Sequence, residues 1–198
     1  GSIYGVIDLT RELGVSAWEW WADVIPRRKA RIVVKEDPFL AQPPSVKYRG
    51  MYLNDEYAGL APWATKTFDA QTGQLGPKTY AKIFELMWRL KANTIWPAAY
   101  LPGTKSFYQA SGNPKLAQEY AIVVGTAHNE PMMRNNLIEW NEKKGPFNFF
   151  TNRNALLDFW RERLNEAKRF ENIYTVGLRG NNDIPMAGAE TTENARDA

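Results

Sequence analysis

The spacing of apolar residues predicts four helices, at residues 3–14, 77–92, 113 to 119 or 120, and 154–169. Proline suits the first turn of the second helix, which starts at Pro77. One face of that helix carries apolar side chains at the i, i+3, i+4, i+7, i+8 spacing, namely Tyr80, Ile83, Phe84, Met87 and Trp88. The last helix turns a similar set inward, namely Leu156, Leu157, Trp160, Leu164 and Ala167.

Short apolar runs between these helices predict strands. The runs cover residues 32–34, 46–53, 94–96, 122–126 and 173–178. Nearly continuous apolar runs that alternate with helices are typical of a buried parallel sheet, so we expect an α/β fold. Four of the five strands fall after residue 45. An eightfold (β/α)8 barrel needs about 250 residues, and the about 150 that remain predict the first four βα units of a TIM-type barrel.

A proline-rich stretch separates this region from the chain before it. Pro38, Pro43 and Pro44 remove backbone donors and favour an extended path, which is typical of a linker. We therefore expect a domain boundary near residues 36–45, with residues 1–40 on one side and residues 46–198 on the other.

Composition excludes several classes of function. No run approaches the about 18 apolar residues of a membrane span. The 25 Lys+Arg against 22 Asp+Glu are too balanced to indicate nucleic acid. Without Cys and with a single histidine, His128, the chain has no disulfide, thiolate or multi-histidine zinc chemistry, and we expect no metal or cofactor. A Ser-His-Asp triad would need His128 as its base. The eight Trp favour a sugar or nucleobase ligand only weakly, because large aromatics also fill cores.

Polar residues follow the predicted strands at their carboxyl ends, where loops converge on one face in parallel α/β folds. They are Asn54, Asp55 and Glu56, then Trp96, then His128, Asn129, Glu130 and Arg134, then Arg179, Asn181, Asn182 and Asp183. Carboxylates with amides and arginine suit glycoside hydrolysis, which uses one protonated and one ionised carboxyl group. Arg179 either binds an anionic group such as a uronate or forms an ion pair with Asp183 or Glu130. His128 is either functional or a hydrogen-bonded structural residue.

Five blocks in the same order resemble glycoside hydrolase family 115, the xylan α-1,2-glucuronidases. They are Ser16–Val24, Tyr48–Glu56, Arg89–Ala98, Gly125–Arg134 and Tyr174–Asp183. The resemblance implies a metal-free inverting enzyme that removes glucuronic acid, or its 4-O-methyl ether, from xylan. It also implies that residues 1–40 end a preceding N-terminal α/β domain and that residues 46–198 open the catalytic barrel.

The resemblance also implies which residues line the pocket. It gives catalytic roles to Asp55, Glu130 and Asp183, with Asp183 as the base that activates water. It places Asn54, His128 and Arg179 in the uronate pocket, with Arg179 on the substrate carboxylate. Their strand-end positions add Trp96 and Asn182 as candidates for substrate binding. The family's general acid is a Glu from a later strand, beyond Ala198. Many members of the family have a second His at the position of Asn129, and an acidic, small or His residue at the position of Asn181 or Asn182.

Other expectations complete this interpretation. We expect glucuronoxylan or its oligosaccharides as substrate, no nucleic-acid or membrane partner, a possible homodimer of the full-length enzyme, and a secreted or periplasmic location. The isolated 198 residues should be inactive, because half a barrel leaves strand edges unpaired. The alternative is a non-catalytic module that binds acidic glycans through exposed Trp residues.

Overall fold

The chain folds as a mixed α/β structure with a parallel sheet, which confirms the predicted fold class at that level. The computed structural model describes residues 1–36, 38, 40–53, 56–97, 99, 105–180 and 183–198. The α-helices are α1 (Ser2–Glu12), α2 (Ala61–Trp63), α3 (Pro77–Arg89), α4 (Asn113–Glu119), α5 (Asn136–Glu139), α6 (Arg153–Ala167) and α7 (Thr192–Asp197). The strands are β1 (Gly50–Tyr52), β2 (Thr94–Trp96) and β3 (Val123–Val124).

Shorter helical turns connect some of these elements. Two π-helical turns, Glu56–Leu60 and Ala64–Phe68, flank α2. Two 3₁₀ turns, Pro131–Met133 and Glu142–Lys144, flank α5. The chain after β3 therefore runs through a 3₁₀ turn, the short helix α5 and a second 3₁₀ turn.

The sheet has the order β1-β2-β3, and both pairs are parallel. Met51 lies opposite Ile95, and Ile95 lies opposite Val124. The strands are shorter than the predicted runs, because ladder pairing covers only two or three residues of each. Three of the four strand positions predicted after the linker are nevertheless confirmed, and the carboxyl ends of these strands lie at the same edge of the sheet.

The core forms where α3 packs against the sheet and α4. The buried face of α3 includes Tyr80, Ile83, Phe84 and Met87, as the spacing predicts. Trp88 is half-buried, and its indole stacks on Tyr120 with ring centroids 4.4 Å apart. A second apolar cluster forms between α6 and the chain around it, with Phe147, Phe149, Leu156, Phe159, Met186 and Ala189 buried.

Two strand predictions need correction. The strand predicted at residues 32–34 is wrong, because Ile32, Val33 and Val34 are 53%, 76% and 63% exposed and form no ladder among the described residues. Apolar side chains that gain no burial have nothing to hold them in a strand. The strand predicted at residues 173–178 is also not a buried strand. The segment lies beside β3 through a single parallel bridge, Val124 to Asn172, and all six of its residues are half-buried or exposed.

The inward face of α6 is also different from the prediction. Leu156 and Ala167 are buried as expected, but Arg163 is buried beside them at 2% exposure, whereas Leu164 is only half-buried. A charged residue thus occupies a position in the inner face of this helix, and its partners are described below.

The first helix, α1, contacts the turn that follows α3. Lys91 Nζ lies 2.8 Å from Asp8 Oδ2, and Tyr4 Oη donates to the Ala92 carbonyl. The described residues of the proline-rich stretch are exposed, as expected for a connecting segment. None of the helices in the described part of the chain has the length and apolar character needed to cross a membrane.

Candidate functional site

Three predicted site residues meet at the surface beyond the ends of β3 and the segment beside it. His128 Nε2 lies 2.6 Å from Asp183 Oδ1, and Arg179 Nη2 lies 3.0 Å from the same oxygen. The side chains of Asp183, His128 and Arg179 are 69%, 57% and 35% exposed. We call this group the exposed triad. The sequence places these residues 55 and 4 positions apart, and the fold brings them into direct contact.

The exposed triad holds Asp183 in its ionised form. A carboxylate only accepts hydrogen bonds, so Nε2 of His128 carries the proton and donates it. The hydrogen bond from His128, followed by the one from Arg179, lowers the pKa of Asp183 below its ordinary value. Asp183 is therefore a solvent-accessible carboxylate that stays ionised at pH values where an unpartnered Asp begins to take up a proton.

A closed loop presents Arg179 and Asp183. The Gly180 amide donates to the Ile184 carbonyl at 2.9 Å, and the Met186 amide donates to Leu178 at 3.0 Å. A Cβ at position 180 would lie 2.5 Å from the Pro185 carbonyl oxygen, so the loop closes this tightly only with glycine. These contacts hold Arg179 and Asp183 close enough in space to form their ion pair.

The loop after β3 carries His128 and is braced against the neighbouring segment. Thr126 Oγ1 donates to the Glu130 carbonyl, and the Met132 amide donates to the Thr175 carbonyl. Met132 and Met133 have φ angles of 52° and 61°, in the left-handed region. Such backbone costs of order 1–3 kcal/mol per residue and persists only where its surroundings fix it.

Glu130 does not lie at the surface with the exposed triad. It is 4% exposed, and its Oε1 accepts a hydrogen bond from Asn135 Nδ2 at 3.0 Å. Its carboxylate is therefore built into the packing under the loop. Its catalytic role stays a prediction.

Below this loop lies a buried ionic cluster that sequence reasoning missed. Glu139 Oε2 accepts from Arg134 Nη1 at 2.7 Å and from Arg163 Nη2 at 2.8 Å, and the three side chains are only 2–9% exposed. Glu139 Oε1 accepts from Ser106 Oγ and from the Asn135 amide, both at 3.0 Å. The signal for it was the position of Arg163 between Phe159 and Ala167 on the buried face of α6.

Trp96 ends β2 and lies partly at the surface. Its side chain is 41% exposed and meets Tyr52 edge-to-face, with ring centroids 5.8 Å apart. Gly125 follows β3, and a Cβ there would lie 2.4 Å from Trp96 Nε1. The indole thus packs directly over the end of β3, which only glycine permits. Substrate binding by Trp96 stays a prediction.

Three predicted site residues lie outside the described residues, namely Asn54, Asp55 and Asn182. Within the described part of the chain, no group of three or more His, Asp or Glu side chains gathers to hold a metal ion.

A cleft of about 760 Å³ lies beside three tryptophans, away from the exposed triad residues. Trp20, Trp21 and Trp63 line it together with the carboxylates of Glu19 and Asp23. An aromatic cleft is the feature that the glycan-binding alternative requires. Two carboxylates in its lining would repel a uronate, so this cleft disfavours an acidic glycan as its ligand.

A parallel α/β chain with an ionised carboxylate and an arginine at its strand ends is compatible with a carbohydrate-cleaving hydrolase. The family model for glycosyl hydrolase family 115 matches residues 41–198, and the chain belongs to this family. The resemblance seen in the five sequence blocks is thereby confirmed.

Eleven chains of solved structures match. One is described as a novel family GH115 4-O-methyl-alpha-glucuronidase, BtGH115A, with specificity for decorated arabinogalactans. It is 42% identical, the match covers 98% of the present chain, and the TM-score is 0.90. The present chain spans 26% of that protein's length. No curated protein sequence matches.

Proposed function

We propose that this chain forms part of an α-glucuronidase that releases glucuronic acid, or its 4-O-methyl ether, from a plant polysaccharide. The observation that carries the proposal is the exposed carboxylate of Asp183, kept ionised by His128 and Arg179 in a chain of family 115. The description of BtGH115A as a 4-O-methyl-alpha-glucuronidase supports the same class of substrate.

Asp183 is our candidate for the base. An inverting glycosidase uses an ionised carboxylate to activate water on one side of the sugar, and a protonated acid on the other. Asp183 meets the first requirement, because it is exposed to solvent and its pKa is lowered. We assign the acid to a Glu from a later strand of the full-length enzyme.

Arg179 is our candidate for the uronate carboxylate. Its guanidinium uses Nη2 for Asp183, and its side chain is 35% exposed, whereas its Nε is buried and has no acceptor among the described residues. A guanidinium has five donors in a planar fork, so it pairs with a second carboxylate while keeping the first. Of the two readings that the sequence left open, the ion pair with Asp183 is present, and the uronate contact is the proposal.

The polysaccharide is proposed from two different sources. The resemblance favours α-1,2-linked glucuronate on xylan, whereas BtGH115A is described as specific for decorated arabinogalactans. Both substrates present a uronate to the pocket, so the exposed triad serves either one. The polysaccharide backbone is the variable that an assay must resolve.

For the full-length enzyme we propose the domain organisation that the sequence resemblance implies. Residues 1–40 end an N-terminal domain, and residues 46–198 form the first four βα units of a barrel. The 198 residues alone should release no uronate, because the acid lies outside them. The secreted or periplasmic location and the homodimer remain predictions.

The test measures uronate release by the full-length enzyme that contains these residues. Glucuronoxylan and a 4-O-methylglucuronate-decorated arabinogalactan are supplied in parallel, and free uronate is quantified. We expect release from at least one of them. Release from neither would overturn the proposal.

A variant tests the role of Arg179. Arg179→Gln removes the guanidinium and should lower kcat/KM on the uronate substrate by at least about 100-fold, mainly through KM. Arg161→Gln is the matched control, since Arg161 is 66% exposed on α6 and should leave kcat/KM unchanged. An equal loss for Arg179→Gln on a neutral glycoside would contradict the carboxylate contact.

A further inference from the structure

Asn136 lies where the loop after β3 meets the loop that carries Arg179 and Asp183. It is the first residue of α5 and is 1% exposed. Its Nδ2 lies within hydrogen-bond distance of the Arg179 carbonyl, at 3.3 Å, and of the Gly180 carbonyl, at 3.4 Å. The buried side-chain amide of Asn136 thus contacts the backbone of Arg179, which belongs to the exposed triad, and of Gly180 next to it.

The neighbouring residue ties the same helix to other strand-end loops. Asn135 Oδ1 accepts from the amides of Leu137 and Ile138 and so caps α5. Asn135 Nδ2 donates to Glu130 Oε1 and to the Ala99 carbonyl. The start of α5 is therefore fixed to the segments that follow β2 and β3.

The buried ionic cluster anchors the end of α5. Glu139 is the last residue of the helix, and it is held between Arg134 and Arg163. Arg163 Nη1 also donates to the carbonyl of the strained Met133. Because α5 is held at both ends, Asn136 has a fixed position from which to donate.

We propose that Asn136 is a positioning residue, which holds the Arg179–Gly180 backbone so that Arg179 and His128 both reach Asp183. The inference rests on the proposed function only for its catalytic meaning. The contact itself predicts a property of Asp183 that is measurable without turnover. A buried amide whose only role was packing would leave that property unchanged.

The test is the pKa of Asp183, measured by carbon NMR of the side-chain carboxyl in the full-length enzyme. Asn136→Ala removes the donor without adding charge. We expect the pKa of Asp183 to rise towards its ordinary value, because the loop no longer holds the carboxylate against Arg179 and His128. The carboxyl of Asp8, whose pKa is lowered by Lys91 at a distant contact, should not change.

Two further variants keep the test decisive. Asn136→Ser serves if the alanine variant does not fold, since a serine can hydrogen-bond within its own helical turn and is too short to hold the loop in the same way. Asn165→Ala is the matched control, because Asn165 is exposed on α6. A folded Asn136 variant in which the pKa of Asp183 equals that of the wild type would overturn the inference. If the pKa of Asp183 shifts in the Asn136 variant but the full-length wild-type enzyme releases no uronate, the result would support the positioning role and contradict the proposed function.

Discussion

Glu139 and Asp183 each accept hydrogen bonds from two basic side chains, but the two carboxylates differ in their access to solvent. Glu139 lies between Arg134 and Arg163 and is 2% exposed. Asp183 lies between His128 and Arg179 and is 69% exposed. The two groups are joined by α5, since Glu139 ends this helix and Asn136 begins it.

This difference in exposure distinguishes a carboxylate that stabilises the fold from one that can react with a ligand. In the buried cluster, both oxygens of Glu139 are used by protein donors, so no oxygen is left for a ligand. In the exposed triad, both described donors meet Oδ1 of Asp183. A water molecule or substrate can therefore approach the exposed carboxylate from solvent.

The largest expected effect is the loss of the buried carboxylate. Glu139→Gln removes the buried carboxylate that Arg134 and Arg163 share and leaves them only the exposed carboxylates of Glu162 and Glu166. This change should cost about 3–5 kcal/mol in the free energy of unfolding. Denaturant unfolding of the 198-residue chain measures this loss. Glu166→Gln is the matched control, because Glu166 also bonds Arg163 but is 55% exposed, and its loss should cost less than about 1 kcal/mol. Equal costs for the two variants would contradict a special role for the buried cluster.

A smaller effect is expected in the exposed triad. His128→Gln removes the stronger of the two influences that lower the pKa of Asp183, so this pKa should rise towards the ordinary value of 3.8. The wild-type carboxylate remains ionised as pH falls through that value and takes up its proton only at lower pH. In the variant the proton binds at higher pH. Carbon NMR titration checks this shift, and Arg179→Gln should give a smaller one in the same direction. A larger pKa shift for Arg179→Gln than for His128→Gln would show that Arg179, and not His128, has the stronger influence on Asp183.

Sequence patterns predict the regular parts of this fold well. The helix at α3, the strand positions at β1 to β3 and the alternation that indicates a parallel sheet all depend on local periodicity, which is visible in the residues. The errors arise where pairing decides the outcome. Residues 32–34 have strand composition but no described ladder, and residues 173–178 gain only one bridge.

In the candidate site, too, local sequence patterns predict some features, and long-range contacts decide the others. Strand-end position brings out His128, Arg179 and Asp183, because the carboxyl ends of parallel strands share one edge. It also brings out Glu130, but it does not distinguish a surface carboxylate from a buried one. The cluster around Glu139 depends on contacts between residues up to 33 positions apart, such as the one with Ser106. The helix pattern places Arg163 on the buried face of α6 but does not indicate these partners.

The central claim is that Asp183 is the exposed carboxylate on which uronate release depends. The most direct measurement is kcat/KM for uronate release by the full-length enzyme that carries Asp183→Asn. Asp158→Asn is the control, since it makes the same change at a 77% exposed position on α6. Our account predicts a loss of at least about 100-fold for the first variant and wild-type activity for the second. A rate for Asp183→Asn within about tenfold of the wild type would contradict it.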